Sequence, residues 1–447
     1  MHKILSLLIL FIACSHAKTQ YSPAEVQADI EYLREQIETY HPGRYRYTSK
    51  ENMEALFEEA KQSTGLNDMG IYRRVNYLLS KVGCGHTRAR MSDNMRNRFE
   101  RKQRFMPISV KFLGDRVYVR QSLDDEIKPG WEITSINDQT MDEIKRQIFK
   151  HLPADGKIET GKARITELLF EAYYQLYIDS TATNYCLELK DAGGNIEKVR
   201  VSGVFQEEVN SIRASFSGDF LSLEHTEDYA YMRIRTFSYQ ALRDNGYDYE
   251  QFLEDSFKEF MKKGTKNLIL DLRGNGGGKD DYGALLVSYL ARESFGYFDR
   301  IEVTRKYPGR SKRVGDQYRV TTHNGLDIWQ PKENRFTGDV YVLIDGFSFS
   351  TCADVATVLH HHGWATFLGE ETGGGYDGNT SGHTRTITLP HSGIIVNIPM
   401  WKYTTANIGH DYKGRGVIPD FPVIPTWEAY SEGVDVVLEN AKKLIEE

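Results

Sequence analysis

The stretch from Tyr341 to Gly378 constrains this 447-residue chain most, because a buried strand there runs through a polar turn into an apolar helix. Tyr341 to Ile344 is a short apolar run, typical of a strand buried on both faces, and Asp345-Gly346 breaks it. Apolar residues then recur at helical spacing until Gly363, the residue type that ends helices with positive φ. A strand followed directly by a helix in this way indicates an α/β core.

Ser350 lies where this predicted strand gives way to the helix N-terminus. Unpaired backbone N–H groups and the positive end of the helix dipole converge at such a point, so a developing oxyanion would be stabilised there. A serine or threonine at the same place is also a normal N-cap, and for an arbitrary strand-turn-helix the cap is the better interpretation. The turn alone therefore leaves a nucleophile and a cap both open.

A glycine-rich segment follows a second predicted buried strand, in Asn267 to Gly278 (NLILDLRGNGGG). Glycines past a strand end allow close backbone approach, and successive N–H groups can form an anion-binding nest. The segment is not a P-loop, because no Gly-Lys-Ser/Thr follows, and no helix clearly opens on it. A serine turn and a glycine nest at two strand ends make acyl transfer plausible.

Four motifs together resemble peptidase family S41, which includes the C-terminal processing proteases and the tricorn protease. They lie in roughly the C-terminal third of the chain, at Asp271 to Gly278, Phe347 to Ser350, Gly369 to Gly374 and Gly416 to Asp420. The resemblance implies a crotonase-like (ClpP/crotonase) α/β catalytic core. It also implies a serine peptidase acting on peptide or protein substrates, with Ser350 as the nucleophile and no cofactor.

The resemblance also separates two mechanisms. Processing proteases pair the serine with a lysine, but Gly375 occupies the corresponding position here, and no lysine lies between Ser350 and Lys402. Tricorn-like members instead use a histidine N-terminal to the catalytic core. His86, in the glycine-rich turn Gly83 to Thr87, is therefore expected to be the general base.

The remaining site residues rest on the same resemblance. The N–H groups of Gly277 and Thr351 are expected to form the oxyanion hole. Tricorn-like members carry a glutamate shortly before the closing motif; Lys413 is the nearest match here, and Asp411 is the closest carboxylate that could orient His86. The alternative function is a non-catalytic protein that binds a peptide or a hydrophobic ligand on the same fold.

Three regions are predicted after residue 19. Ser22 and Glu25 form a capping box that starts the first of several helices, which indicates a helical N-terminal domain over residues 20–100.

Residues 101–205 resemble an α+β PDZ domain, on the segment Pro129 to Asn137 and a following helix, Met141 to Phe149. A further helix is predicted over 164–177. PDZ domains add peptides as an extra strand, but a structural spacer is as good an interpretation here. The catalytic domain is expected over 206–447.

The first 17 residues have the pattern of a cleavable secretory signal, with a basic start, an apolar core from Ile4 to Ala13 and small residues at Ser15 and Ala17. The core is too short to span a bilayer permanently. Residues Phe11 to Cys14 also resemble a lipoprotein box, so a lipid at Cys14 is the alternative. Both predict export to the bacterial periplasm or cell envelope, with membrane attachment in the second case.

Composition and spacing exclude several other classes. The net charge of −7 and the lack of a long basic run argue against a nucleic-acid binder. Cys84, Cys186 and Cys352 are too few and too scattered for a disulfide scaffold or zinc site. Cys352 is expected inside the helix as a packed residue rather than as a nucleophile. His360 to His362 point about 100° apart on a helix and do not converge on one ion, so no metal is predicted. Nothing in the sequence indicates an oligomeric state.

Overall fold

The first part of the computed structural model is helical, and its capping box forms as predicted. The structure describes residues 20–214, 218–406 and 412–447, so the signal segment and Cys14 lie outside it. The Ser22 side chain accepts the N–H of Glu25, and the Glu25 carboxylate accepts the N–H of Ser22. The elements of this part are α1 Pro23–Tyr40, α2 Lys50–Lys61, α3 Asp68–Val82, β1 Arg88–Arg90 and α4 Asp93–Lys102.

An antiparallel sheet with flanking helices follows. Its elements are β2 Ile108–Leu113, β3 Arg116–Ser122, β4 Glu132–Ile136, β5 Gln139–Thr140, α5 Met141–Phe149, α6 Thr160–Leu168, α7 Phe170–Tyr177, β6 Asn184–Lys190, β7 Ile196–Ser202 and α8 Gln206–Asn210. The strand order is β2-β3-β4-β6-β7, with β5 paired to β4. The single helix predicted over 164–177 is wrong. The chain breaks at Leu169, which has φ −130° and ψ 26°, so that α6 packs on β2 and α7 also reaches α3.

The last part alternates strands and helices. Its elements are β8 Leu221–His225, β9 Ala230–Ile234, α9 Tyr239–Asp244, α10 Tyr249–Lys263, β10 Asn267–Asp271, α11 Asp280–Leu290, β11 Phe295–Gly296, β12 Phe298–Val303, β13 Ser311–Val314, β14 Gln317–Val320, a 3₁₀ helix Asn324–Leu326, β15 Ile328–Trp329, β16 Asp339–Ile344, α12 Thr351–His361, β17 Thr366–Gly369, β18 Thr380–Thr388, β19 Ile395–Thr405, β20 Phe421–Pro422, α13 Trp427–Ser431 and α14 Val436–Glu446. Contrary to the sequence expectation, a helix (α11) does open just after the glycine run, and Asp280 and Asp281 supply negative charge to its first turn.

The central sheet is mostly parallel, which confirms the α/β fold. Its order is β20-β17-β16-β10-β9-β8, and β8 alone of these strands runs antiparallel to its neighbour. Strands β10 and β16 are adjacent and in parallel register, with Asp271 opposite Leu343. Because parallel strands end at the same edge of a sheet, the glycine run after β10 and the serine turn after β16 lie side by side.

The N-terminal region shares a strand pairing and an apolar core with the rest of the molecule. Strand β1 pairs antiparallel with β19, with Ala89 opposite Val396. One apolar core contains Leu33 of α1, Ile108 of β2 and Val396 of β19, all fully buried. Within the described ranges, no helix is both long enough and apolar enough to cross a membrane.

Candidate active site

Ser350 has a strained backbone at the junction of β16 and α12. Its φ is 57° and its ψ −131°, a combination that residues with a Cβ rarely adopt. Its side chain makes no capping hydrogen bond to the helix. Instead, Ser350 Oγ lies 3.2 Å from His86 Nε2. The N-cap interpretation therefore does not describe what this hydroxyl does, because its hydrogen-bond partner is an imidazole from 264 residues earlier in the chain.

The two predicted oxyanion donors differ in this structure. Thr351 is the first residue of α12, and its N–H has no acceptor among the described residues. The Gly277 N–H is instead donated to Asn275 Oδ1 at 2.9 Å, because the asparagine side chain folds back onto the backbone two residues on. Gly277 still lies against the nucleophile, since a Cβ there would come within 2.7 Å of Ser350 Cβ. Its N–H becomes free for an oxyanion only when Asn275 releases it.

The loop that carries His86 is held from several sides. Gly83 ends α3 with φ 69°. The Arg88 Nε donates to the Gly85 carbonyl at 2.7 Å, and the Cys84 thiol donates to the Thr380 carbonyl. A Cβ on Gly85 would lie 2.8 Å from the Phe349 ring. Phe349 can therefore stack on the imidazole of His86, with ring centroids 4.5 Å apart, only because residue 85 is glycine.

The imidazole of His86 is poorly solvated. Burial lowers its pKa to about 3, and the neighbouring positive charge of Arg88 adds to this effect. Its Nδ1 atom is buried and has no hydrogen-bond partner among the described residues. Neutral His86 is therefore the resting form, and neutral imidazole is the form that can take a proton from Ser350.

The remaining motif residues support the site without contacting Ser350. Asp271 bonds Tyr231, Arg233 and Arg273. Burial alone would raise the pKa of Asp271, but the two arginines and the tyrosine hold it at about 2. Arg273 also binds Asp435 at the start of α14. The motif Asp271 to Gly278 is thus anchored by ion pairs at its first turn.

Two further motifs are hydrogen-bonded to each other. Glu371 accepts the N–H of Gly416 at 2.8 Å, and the Thr372 hydroxyl accepts the N–H of Val417 at 2.9 Å. The N–H of Gly374 is donated to the Ser348 carbonyl in the nucleophile turn. The segments Gly369 to Gly374 and Gly416 to Asp420 therefore act together as a brace behind that turn.

A cavity of about 540 Å³ opens beside His86 and Phe349. It extends between the helical region, α6 and α7, and the central sheet edge. Much of its lining is apolar or aromatic. These lining residues include Tyr72, Leu152, Pro153, Ile165, Tyr173 and Tyr177.

Lys402, Cys352, His360 and His362, all considered in the sequence, do not join the site. Asp411 lies outside the described residues. Lys402 Nζ is 2.8 Å from Glu302 Oε2 and is held in that ion pair. Cys352 is buried inside α12, where burial raises the pKa of its thiol. His360 bonds Tyr376 while His362 stacks on Trp364, so the three adjacent histidines diverge.

One site neighbour has no counterpart in the sequence predictions. Asp155, in the loop between α5 and α6, is 2% exposed and accepts the N–H groups of Gly85 and Gly375. Cys84 Sγ, a ring nitrogen of His86 and an Asp155 oxygen all lie within 4.8 Å of one another. In the sequence, Asp155 precedes a glycine after Pro153-Ala154, a pattern that indicates only a turn.

Comparison with known proteins gives a family and a fold. Residues 228–423 match the model of peptidase family S41. The chloroplastic carboxyl-terminal-processing peptidase 1 of Arabidopsis thaliana is 24% identical over 207 residues, which are 46% of this chain and 36% of that protein. The present chain thus covers little more than a third of the curated relative that it matches.

Two solved structures share the fold over nearly the full length. Mature CPAF superposes with a TM-score of 0.66 at 14% identity, covering 95% of this chain and 98% of the other. Mature CPAF complexed with lactacystin gives 0.65 at 14% identity, covering 95% and 99%.

Proposed function

We propose that this chain, whose residues 228–423 match the model of peptidase family S41, is an active serine peptidase with Ser350 as nucleophile and His86 as general base. One observation carries the proposal: Ser350 Oγ lies 3.2 Å from His86 Nε2, at the start of α12. A hydroxyl within hydrogen-bond reach of a neutral imidazole is the arrangement that activates a serine.

The steps follow from this geometry. Ser350 Oγ attacks the scissile carbonyl while its proton moves to His86 Nε2. The Thr351 N–H, aided by the helix dipole, stabilises the oxyanion, and the Gly277 N–H joins it once Asn275 releases it. His86 then gives the proton to the leaving amine, which departs and leaves an acyl-enzyme. Water, deprotonated by the same imidazole, hydrolyses the ester and restores Ser350.

The cavity beside His86 favours substrates with an apolar or aromatic side chain next to the scissile bond. Its lining includes tyrosines and aliphatic residues, and burial of one large side chain there contributes roughly 1.5–3 kcal/mol. Endo- and exopeptidase action are both compatible with a cavity of this shape.

A serine-reactive phosphonate tests the catalytic assignment. The adduct, located by peptide mass spectrometry with fragmentation, is expected on Ser350, and Ser350→Ala is expected to lose both the adduct and turnover while keeping its fold. His86→Ala is expected to slow labelling and turnover in parallel. Labelling on Ser348 or Cys352 would contradict the proposal. A folded wild-type protein that neither reacts nor cleaves a peptide library, yet retains peptides or apolar ligands, would favour the binding protein instead.

We further propose that the protein acts outside the cytoplasm. The support is the basic start, the apolar core and the small residues within positions 1–17. The intact mass of the protein recovered from cells tests this. Loss of residues 1–17 indicates soluble export, and a lipid-modified Cys14 terminus indicates an anchor. Retention of Met1 contradicts both.

A further inference from the structure

Only one of the two ring nitrogens of His86 has a hydrogen-bond partner among the described residues. Nε2 faces Ser350 Oγ at 3.2 Å, whereas the buried Nδ1 has no partner in the part of the chain that the structure describes. If Nε2 is to accept the serine proton, the ring proton of neutral His86 must sit on Nδ1. A buried N–H needs an acceptor, so this tautomer requires an acceptor on the inner side of the ring.

Asp155 is a buried carboxylate within reach of this ring. One of its oxygens lies within 4.8 Å of a His86 ring nitrogen. Its Oδ1 accepts the Gly85 N–H at 2.8 Å, and its Oδ2 accepts the Gly375 N–H at 3.3 Å. Each oxygen retains acceptor capacity after these bonds. The Gly85 bond also ties Asp155 to the residue just before His86, so the carboxylate and the ring keep a fixed relation.

Two arginines place positive charge around this cluster, and the neutral, buried Tyr47 hydroxyl near Asp155 has no hydrogen-bond partner among the described residues. Burial raises the pKa of Asp155, and Arg46 and Arg88 oppose that shift. The Cys84 thiol donates its proton to the Thr380 carbonyl. Its sulfur atom is only a weak acceptor for the Nδ1–H of His86.

We propose that Asp155 is the positioning residue for His86: it accepts the Nδ1–H, fixes the productive tautomer and stabilises the imidazolium that forms when Ser350 attacks. The proposal rests on the proposed function. During the step, the serine proton moves to Nε2, the Nδ1–H stays on the ring, and Asp155 remains ionised. A separation of this size is bridged by one water molecule, or closed by a small rotation of the ring when substrate binds.

Paired amide substitutions test this assignment. Replacing the acid of a serine triad by its amide leaves the geometry but presents the wrong tautomer, so Asp155→Asn is expected to lower kcat by about 100-fold or more with KM nearly unchanged. Asp411→Asn tests the acid suggested by the family position, and on the present proposal its loss of kcat is smaller than that of Asp155→Asn. Asp29→Asn is the matched control, because Asp29 is also fully buried and accepts two backbone N–H groups, at 2.8 and 2.9 Å, away from the site.

A spectroscopic readout separates positioning from structural support. The low-field imidazole N–H proton of His86 in the full-length protein, assigned by its loss in His86→Ala, is expected to disappear or shift upfield in Asp155→Asn and to persist in Asp29→Asn. Asp155→Asn that keeps wild-type kcat and an unshifted resonance overturns the proposal, as does a large loss confined to Asp411→Asn. If Asp155→Asn does not fold, the wild-type resonance decides, because its absence counts against an acceptor at Nδ1. Failure of the proposed function is distinct, because then either the wild-type protein has no turnover or Ser350→Ala and His86→Ala retain it.

Discussion

Ser350 adopts a backbone conformation that glycine takes without strain and serine does not. With φ 57° and ψ −131°, its Cβ is the source of that strain, which is about 1–3 kcal/mol for such residues. Because alanine retains the Cβ and glycine removes it, we expect Ser350→Gly to be more stable than Ser350→Ala by about 1 kcal/mol. Denaturant midpoints of the two inactive variants measure the difference.

An ordinary strand serine provides the control for this comparison. At the exposed Ser202, the last residue of β7, the order is expected to reverse, because its φ is not positive and glycine loses more conformational freedom on folding than alanine. If glycine at position 350 is no more stable than alanine, the strain is absent.

On the proposed mechanism, with His86 as the general base, the environment of this ring sets the pH dependence of catalysis. An unperturbed imidazole would give a rise through about pH 6 to 7. Burial and Arg88 lower the pKa to about 3, so the ring remains neutral, and able to accept a proton, at lower pH. We therefore expect kcat/KM to begin rising well below the ordinary imidazole value of about 6.5.

The Arg88→Gln variant tests whether the charge of Arg88 contributes to the lowered pKa of His86. Removing the positive charge favours the imidazolium and raises the pKa, so the midpoint of the kcat/KM profile should move to higher pH, and by only a fraction of a unit because Arg88 is exposed. Arg90→Gln, on the same strand β1 and also exposed, should leave the midpoint in place. A wild-type midpoint between pH 6 and 7 would show that His86 is better solvated than this geometry implies.

At the scale of elements, α6 links the edge of β2 to the active-site brace. Arg164 donates to the Phe112 carbonyl at 3.1 Å, to Glu167 at 2.8 Å and to Glu370 at 3.2 Å. Glu167 in turn accepts the N–H of Phe112. This chain's own helix thus occupies the β2 edge at Phe112, at a sheet edge where a peptide strand could otherwise add.

Arg164→Ala tests how much this link contributes. Arg164 and Glu167 are each only 11% exposed, but Glu167 keeps Lys111 as a partner at 2.8 Å. We therefore expect a loss on the order of 1.5–3 kcal/mol in the free energy of unfolding, the range for hydrogen bonds to charged groups. Turnover should fall as well, since Glu370 belongs to the segment that braces the serine turn. The exposed pair of Lys50 and Glu54, 59% and 48% exposed, is the control, and Lys50→Ala should cost less than about 1 kcal/mol. Equal losses of unfolding free energy in the two variants would mean that the contacts of Arg164 on α6 stabilise the fold no more than an exposed ion pair.

Regular elements were predictable from the sequence where local periodicity was strong. Met141–Phe149 was predicted with its observed bounds, because a capping box and an apolar face agree there. Strand β1 was not predicted: it has three residues, and its partner lies about 300 positions away. The break at Leu169 was missed because apolar spacing continues through it. Asp155 and the back-bond of Asn275 were missed because their sequence neighbours indicate only turns, while their partners are set by tertiary packing.

For the whole molecule, the shared core predicts that the catalytic region does not stand alone. Residues 206–447 would expose β19, whose Val396 and Ile398 are fully buried against N-terminal elements, and would lack His86. We expect this fragment to be poorly soluble and inactive, as judged by size-exclusion chromatography and peptide cleavage. Refolding it together with residues 20–205 should recover activity. A soluble fragment that cleaves peptides unaided would show that neither β1 nor His86 is needed.

The pairing of β1 with β19 joins a strand near the start of the chain to one near its end. The ribosome releases Arg88–Arg90 long before residues 395–405 exist, so the strand that follows His86 waits without a partner through most of synthesis. Ser350 also emerges before that partner does. The proposed nucleophile and base are therefore both made before the sheet that anchors His86 can close. On the proposed mechanism, we expect no activity until residues 395–405 have been made and have paired with β1, which delays activity until synthesis is nearly complete.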